Sequence, residues 1–361
     1  MLGVEQVLRT LLISLLRTEV LLIGTLVGNV LRLAVGITLV YAGFGWVGAA
    51  LGYLLVSLAN LFVSLAYAWR SVGIAPTLSL AALTDVLRAG VVSWLPSIVV
   101  LAGQWLGVLF VFGTGGAVET GHYYVAQAIS FAVINIAASI LGLMLPLLSG
   151  MPDGRKRASS RAMKISLVFM VPVAVFVAAY PWLPLALLGE EYLAASTTLT
   201  TLLLSAFVQP ITASVNSLVY AYGFYRLVLA IGLSINIPRI LLYLLLVPMY
   251  GGLGAAISFT AGSYCGLLSS LAIARRVGFR IDARTVGTVI GIPLLLGALS
   301  RALELHWLLG LILTASSYVA YTKLGILTRK DLKDILTAFV SRERISKLYT
   351  RLRPIIDLVL P

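Results

Sequence analysis

Acidic side chains are scarce in this chain, and none falls at the middle of an apolar run: 13 Asp and Glu stand against 26 Lys and Arg in 361 residues. Cysteine is nearly absent, so Cys265 closes no intrachain disulfide. His122 and His306 are too few and too far apart for a histidine metal site. No H-E-x-x-H, Walker A or G-x-S-x-G pattern occurs. The glycine-rich GTGGAVETG at 113–121 carries an acid and is unsuited to cradling phosphate. Nothing points to an enzyme, a cofactor or a metal. Charge as a whole is thin: 11% of residues are charged, 60% are hydrophobic, and the mean hydropathy is +1.04. Those values exclude a soluble domain.

What is present is a series of long apolar runs. A bilayer core about 30 Å thick needs about 20 apolar residues per helix. Ten segments meet that test: 20–42, 46–68, 91–112, 122–148, 163–187, 193–221, 225–249, 252–275, 284–303 and 306–326. The runs lack the ten-residue alternation of a barrel, so the expected fold is an all-α integral membrane protein. With the N-terminus inside, 23 of the 26 basic residues lie on the inner side, including the run GRKRASSRAMK at 154–164. The outer loops keep Arg301 with Glu119, Glu190, Glu191 and Glu304; Arg32 and Arg239 lie within the membrane. Both termini are then cytoplasmic. This topology accounts for the net charge of +13, so nucleic acid is not expected as a partner. Residues 1–19 are no signal peptide, because Arg9 and Arg17 interrupt them; they read as an amphipathic segment on the inner face.

The sequence repeats itself. NVLRLAVGITLVYAGFGWVGAA at 29–50 matches NIPRILLYLLLVPMYGGLGAA at 236–256: each begins N-x-x-R and ends G-x-x-G-A-A. Six helices separate the copies, an even number, so the repeat is parallel about an axis along the membrane normal. The expected domains follow: 20–68, the last two helices of an incomplete first bundle; 69–90, a cytoplasmic linker; 91–275, a complete six-helix bundle; 276–326, a C-terminal helix pair; and 327–361, a basic tail. Four helices of a fourteen-helix design are then missing. A shortened reading frame is favoured over a real short form that works with a partner subunit.

The order of GHYYVAQAIS at 121–130, Pro146 in LMLPLLSG, the basic run at 154–164, LLGEEYLAA at 187–195, LVPMYGGLGAA at 246–256 and LTRKDL at 327–332 resembles the polysaccharide-export flippases. These are the O-antigen and related lipid-linked oligosaccharide flippases, whose superfamily also holds multidrug-and-toxin-extrusion exporters and lipid II flippases. The resemblance implies fourteen helices in two six-helix bundles plus a final pair. It also implies translocation of a lipid-linked oligosaccharide with a phosphate or pyrophosphate headgroup, by rocking of two bundles around a basic cavity. The alternatives are a drug exporter, which would want an acidic or aromatic cavity, and a non-transporting partner or truncated remnant. An integral-membrane glycosyltransferase would need an acidic site that the outer loops lack.

An arginine at the bilayer centre costs about 2.5–3.5 kcal/mol, so Arg32 and Arg239 require a wet cavity or polar partners. Asn29 and Asn236 sit three residues earlier, on the same helical faces. The planar fork of arginine suits a phosphate, and an anion clamp is one reading; interhelical hydrogen bonding to carbonyls is the other. Pro238 is expected to kink its helix beside Arg239. Of nine Asn and Gln residues only Gln6 lies outside the helices, and Gln104, Asn135 and Gln209 are candidates for sugar hydroxyls. The absence of a mid-depth carboxylate leaves these helices without an obvious coupling site. The tail puts Leu332, Ile335, Leu336, Phe339 and Val340 on one face and basic residues on the rest, an arrangement expected to lie on anionic membrane lipids.

Overall fold

A computed structural model of the chain describes residues 2–15, 17–71, 80–142 and 144–328. The expected membrane-surface tail, 327–361, lies outside the described residues from 329 onward. Those described are helix and turn, with no strand among them. The fold is therefore all-α, as expected. Contacts divide the chain into two units, Met1–Arg88 and Ala89–Pro361.

Among the described residues five helical stretches are long and apolar enough to cross a membrane: Glu19–Arg70, Trp105–Gly150, Arg155–Ala179, Tyr225–Arg276 and Ala283–Ala302. A sixth is the bent pair Glu190–Phe207 and Gln209–Ala221, which turns by 41°. A straight helix of 52 residues would be about 78 Å long, more than twice a bilayer core. Such stretches fold back on themselves, and the reversals fall at glycines.

In the first unit α1 (Leu2–Ser14) packs on α3 (Gly45–Ser71) and buries Leu8 and Leu12. The helix α2 (Thr18–Leu39) runs antiparallel to α3. Gly24 faces Asn60, Gly28 faces Val56 and Gly36 faces Gly52, numbers rising on one leg as they fall on the other. The corner between them holds Gly43 at φ 93° and Gly45 at φ 51°, ψ −130°. The expected linker 69–90 is helical at both ends. The helix α3 reaches Ser71, and α4 (Leu80–Leu141) starts on LAAL, a run of good helix formers. Residues 72–79 lie outside those described.

In the second unit α4 reverses at Gly116, at φ 72° and ψ −168°. After α5 (Met144–Gly150), α6 (Arg155–Ala179) runs through the core, with Leu167, Val168, Met170, Val171 and Ala174 fully buried. Around α6 stand α8 (Ser196–Leu203), α9 (Gln209–Ala221) and α11 (Ala283–Ala302), with α7 (Trp182–Ala186), α12 (Trp307–Ala315) and α13 (Ser317–Lys323) completing the order. The helix α10 (Tyr225–Arg276) reverses at Gly251, at φ 53° and ψ −131°. Past that corner Gly254 returns against Leu246, Gly262 against Arg239 and Gly266 against Ile235. The backbone keeps helical dihedrals through Pro238. The reversal lies at Gly251, between the expected spans 225–249 and 252–275, because only glycine tolerates that dihedral pair.

The repeat read from the sequence is present in the backbone. Gly45 and Gly251 hold nearly the same dihedrals, and Gly48 meets Leu39 and Val40 as Gly254 meets Leu246 and Val247. The second unit also sorts its charges by end. Arg155 reaches the carbonyl of Ala221, and Lys164 reaches that of Ile326, so the loops after α5, α9 and α13 gather at one basic end. At the other end Glu119 accepts the Gly252 N–H at 2.8 Å, and the His122 ring meets Tyr192 edge to face at 6.0 Å.

Candidate functional site

Arg239 sits on the first leg of α10 and is 4% exposed. Its Nη1 donates to the carbonyl of Gly103 on α4 at 3.4 Å. Its Nη2 donates to the Phe259 carbonyl at 3.4 Å and to Ser263 Oγ at 3.2 Å on the returning leg. The guanidinium carbon lies 4.0 Å from the centre of the Phe259 ring. Its Nε has no partner. Asn236, one turn earlier, faces the same neighbour. Its Nδ2 donates to the Gly232 carbonyl at 2.9 Å, and its Oδ1, buried and without a partner, presses on Gly103 where a Cβ would stand. The shared face expected for amide and guanidinium is thus present in this unit.

One turn along α4, Gly107 makes room for two more polar groups. A Cβ there would lie 2.7 Å from the Tyr123 hydroxyl and 2.9 Å from that of Tyr243. Both tyrosines are buried, and Gln127 Nε2 donates to the Tyr123 hydroxyl at 3.4 Å. A cluster of one guanidinium, two amides and two phenols therefore occupies the interior of the second unit. No buried carboxylate among the described residues joins it. The one salt bridge among the described residues is the exposed pair Arg17 and Glu19 at 3.2 Å. A buried cation without a counter-ion is costly to keep, and a diffusible anion is the partner that would relieve it.

The other sequence candidates are placed differently. Arg32 is half-buried in the first unit, its guanidinium carbon 3.7 Å from the centre of the Tyr53 ring, while Asn29 is exposed. Asn60, not Asn29, ties that hairpin, accepting from Thr25 Oγ1 at 3.3 Å and donating to the Val56 carbonyl at 3.1 Å. Gln104 is on the helical backbone of α4, with its side chain outside the described residues. Asn135 is exposed on the second leg of α4, and Gln209 is half-buried at the bend before α9. Neither joins the cluster. Sequence reading passed over Tyr123, Tyr243, Phe259, Ser263 and Tyr53. The signal that could have found the tyrosines is Gly103-x-x-x-Gly107, a spacing that lets helices approach closely.

Among solved structures the fold is similar to that of the lipid II flippase MurJ in its inward closed conformation. The TM-score is 0.65 at 13% identity, over 82% of this chain and 66% of that one. The chain thus spans a little less than two thirds of that protein, and the likeness is one of fold. No protein of curated function matches the sequence. The model of one family, described as polysaccharide biosynthesis protein, matches residues 1–197. That match takes in more than half of the 361 residues, with the whole of the first unit, Gly103, Gly107 and all of α6, so this chain is a member of the polysaccharide biosynthesis protein family.

Proposed function

We propose that the chain moves a lipid-linked oligosaccharide or polysaccharide precursor across the cell membrane, gripping its phosphate or pyrophosphate by arginine. Alternating access around a basic cavity is the mechanism proposed, with both termini cytoplasmic by the distribution of basic loops. Family membership and the flippase-like fold support the substrate class. The observation that carries the reading is Arg239: a buried guanidinium with no buried carboxylate among the described residues. Its three hydrogen bonds, at 3.2 to 3.4 Å, are longer than the roughly 2.7–2.9 Å of a strong charge-assisted bond. It is parked on weak acceptors that a phosphate oxygen would outcompete. Arg32, the repeat-related residue, is the second proposed grip, with Asn29 and Asn236 beside the two arginines; Gln104, Asn135 and Gln209 are the proposed contacts for hydroxyls of the sugar. No step makes or breaks a covalent bond.

One observation favours a purely structural role. Arg239 reaches carbonyls on two different helical legs, as interhelical glue would. Complementation of a flippase-deficient strain separates the two readings. The chain is expressed with and without its upstream coding sequence, and Arg32→Ala and Arg239→Ala are compared at equal membrane abundance. Loss of export in both variants supports the grip. Full activity in both overturns it, and no complementation by either unmodified form overturns the transport reading.

A further inference from the structure

The buried stripe on the first leg of α10 reads Asn236, Arg239, Tyr243 and Val247, one residue per turn. The translocation reading uses the first two. Tyr243, one turn beyond the guanidinium, is buried, and so is Tyr123 on the second leg of α4. A membrane tyrosine is commonly a hydrophobe whose polar tip reaches the wet surface. These two do not follow that pattern: their hydroxyls turn inward and converge on Gly107, where a Cβ would crowd both.

The hydrogen bonds of the phenols form an ordered series. Gln127 Nε2 donates to the Tyr123 oxygen at 3.4 Å, and the Tyr123 hydroxyl donates to the Tyr243 oxygen. There the series stops. The hydrogen of Tyr243 meets no acceptor among the described residues, and one turn back the Nε–H of Arg239 meets none either. The acceptor left over in the cluster, Asn236 Oδ1, presses on Gly103 and reaches neither donor.

A buried donor without an acceptor is costly, and two of them on one stripe are not explained by packing. A phosphoryl group answers both. It carries several acceptor oxygens, so it can meet a guanidinium edge and a phenol hydrogen together. It also brings the negative charge that no buried carboxylate among the described residues supplies. A neutral sugar hydroxyl would satisfy one donor and leave the cation unmatched.

We infer that Tyr243 is a substrate-binding residue, a neutral second donor to the phosphoryl oxyanion gripped by Arg239, and that Tyr123 positions it. The inference rests on the translocation reading and deepens it. Alternating access is what opens this closed cluster to the headgroup.

The probe is geranyl pyrophosphate, a short isoprenoid with the headgroup chemistry in question, and geraniol is the control that lacks it. Binding to the full chain in detergent is followed by titration calorimetry. The parent is expected to bind geranyl pyrophosphate saturably and geraniol not at all. Tyr243→Phe should bind about 2- to 10-fold more weakly, the share of one neutral hydrogen bond. Tyr243→3-fluorotyrosine keeps the size and sharpens the donor, and should bind more tightly than the parent. A packing role would not produce that rise. Undiminished binding by Tyr243→Phe, or unchanged or weaker binding by the fluorotyrosine variant, overturns the inference. Arg239→Ala shows where such a failure lies. If it loses binding while Tyr243→Phe does not, the arginine grip stands and the phenol is excluded. If it binds as the parent does, or the parent does not prefer geranyl pyrophosphate to geraniol, the grip fails and the inference fails with it.

Discussion

The guanidinium of Arg239 lies 4.0 Å over the ring of Phe259, on the leg that returns after Gly251. In the other copy of the repeat Arg32 lies 3.7 Å over Tyr53. The two arginines differ by 207 positions and the two rings by 206, the one-residue difference falling in the corner between the legs. Each copy therefore carries its arginine on the face of an aromatic ring one leg away. A ring face offers a guanidinium attraction without the desolvation that a carboxylate would require, worth about 0.5–2 kcal/mol. It leaves the in-plane N–H groups pointing sideways, where an oxyanion can meet them.

Replacing Arg239 tests whether that geometry serves stability or transport. A buried ionic group exchanged for an apolar one of similar length is often neutral or stabilising by about 1–4 kcal/mol. Arg239→Met is expected to hold or raise the melting temperature of the detergent-solubilised chain. It should nevertheless cut export, by roughly 10- to 150-fold if one charge-assisted bond of about 1.5–3 kcal/mol to the substrate is lost. Arg239→Lys keeps the charge and loses the fork, and should recover only part of the activity. A melting temperature that falls in step with activity would assign Arg239 to packing.

Much of this arrangement could be read from the chain alone, and the reason is periodicity. The apolar runs and the paired N-x-x-R and G-x-x-G-A-A elements locate both hairpins, and the corner glycines Gly45 and Gly251 fall inside those matches. The shared face of Asn236 and Arg239 follows from helical spacing. What lay hidden depends on which helix faces which. Gly103 is 136 residues from the guanidinium it accepts, and nothing local announces the meeting. Tyr123 and Tyr243 sit in apolar runs where a phenol reads as one more hydrophobe.

Gly103 is the closest point of that meeting. A Cβ at this position would run into Asn236 Oδ1, so Gly103→Ala is expected to destabilise the chain by about 1–3 kcal/mol. Asn236→Ala alone should cost little, because its Oδ1 has no partner and its Nδ2 bonds only the carbonyl one turn back. In the double variant the clash is gone. A double-mutant cycle on denaturation midpoints should therefore show a coupling that recovers most of the Gly103→Ala loss, and simple additivity would mean that the two residues do not touch.

The corner at Gly251 makes a second packing claim. Its φ of 53° is strained for any residue with a Cβ, and Gly251→Ala is expected to cost about 1–3 kcal/mol. Beside it Glu119 accepts the Gly252 N–H across the two hairpin corners at 2.8 Å. Glu119→Gln keeps an acceptor oxygen and should melt close to the parent. Glu119→Ala leaves the N–H without its partner and should melt lower, together with faster hydrogen exchange at Gly252. Equal melting of the Gln and Ala variants would show that this contact does not hold the corner.

Acid should loosen the start of α11 before the rest of its unit. Asp282 caps that helix, and its carboxyl is held below the usual carboxylate range. The Thr285 hydroxyl is the main cause, followed by the N–H of Thr285 and then by the Arg284 N–H and charge. A group whose acidity is strengthened by folding contributes stability above its unfolded pKa of about 3.9 and loses that contribution as the pH falls through its lower folded value. Hydrogen-exchange protection of the first turn of α11 is thus expected to stay level from neutral pH to about pH 4 and to fall below it. In Asp282→Asn the amide oxygen still accepts from the helix but does not titrate, so protection should be flat across that window. Asp282→Ala should lack protection at every pH, because no acceptor remains. A fall below pH 4 that persists in Asp282→Asn would place the titrating group elsewhere.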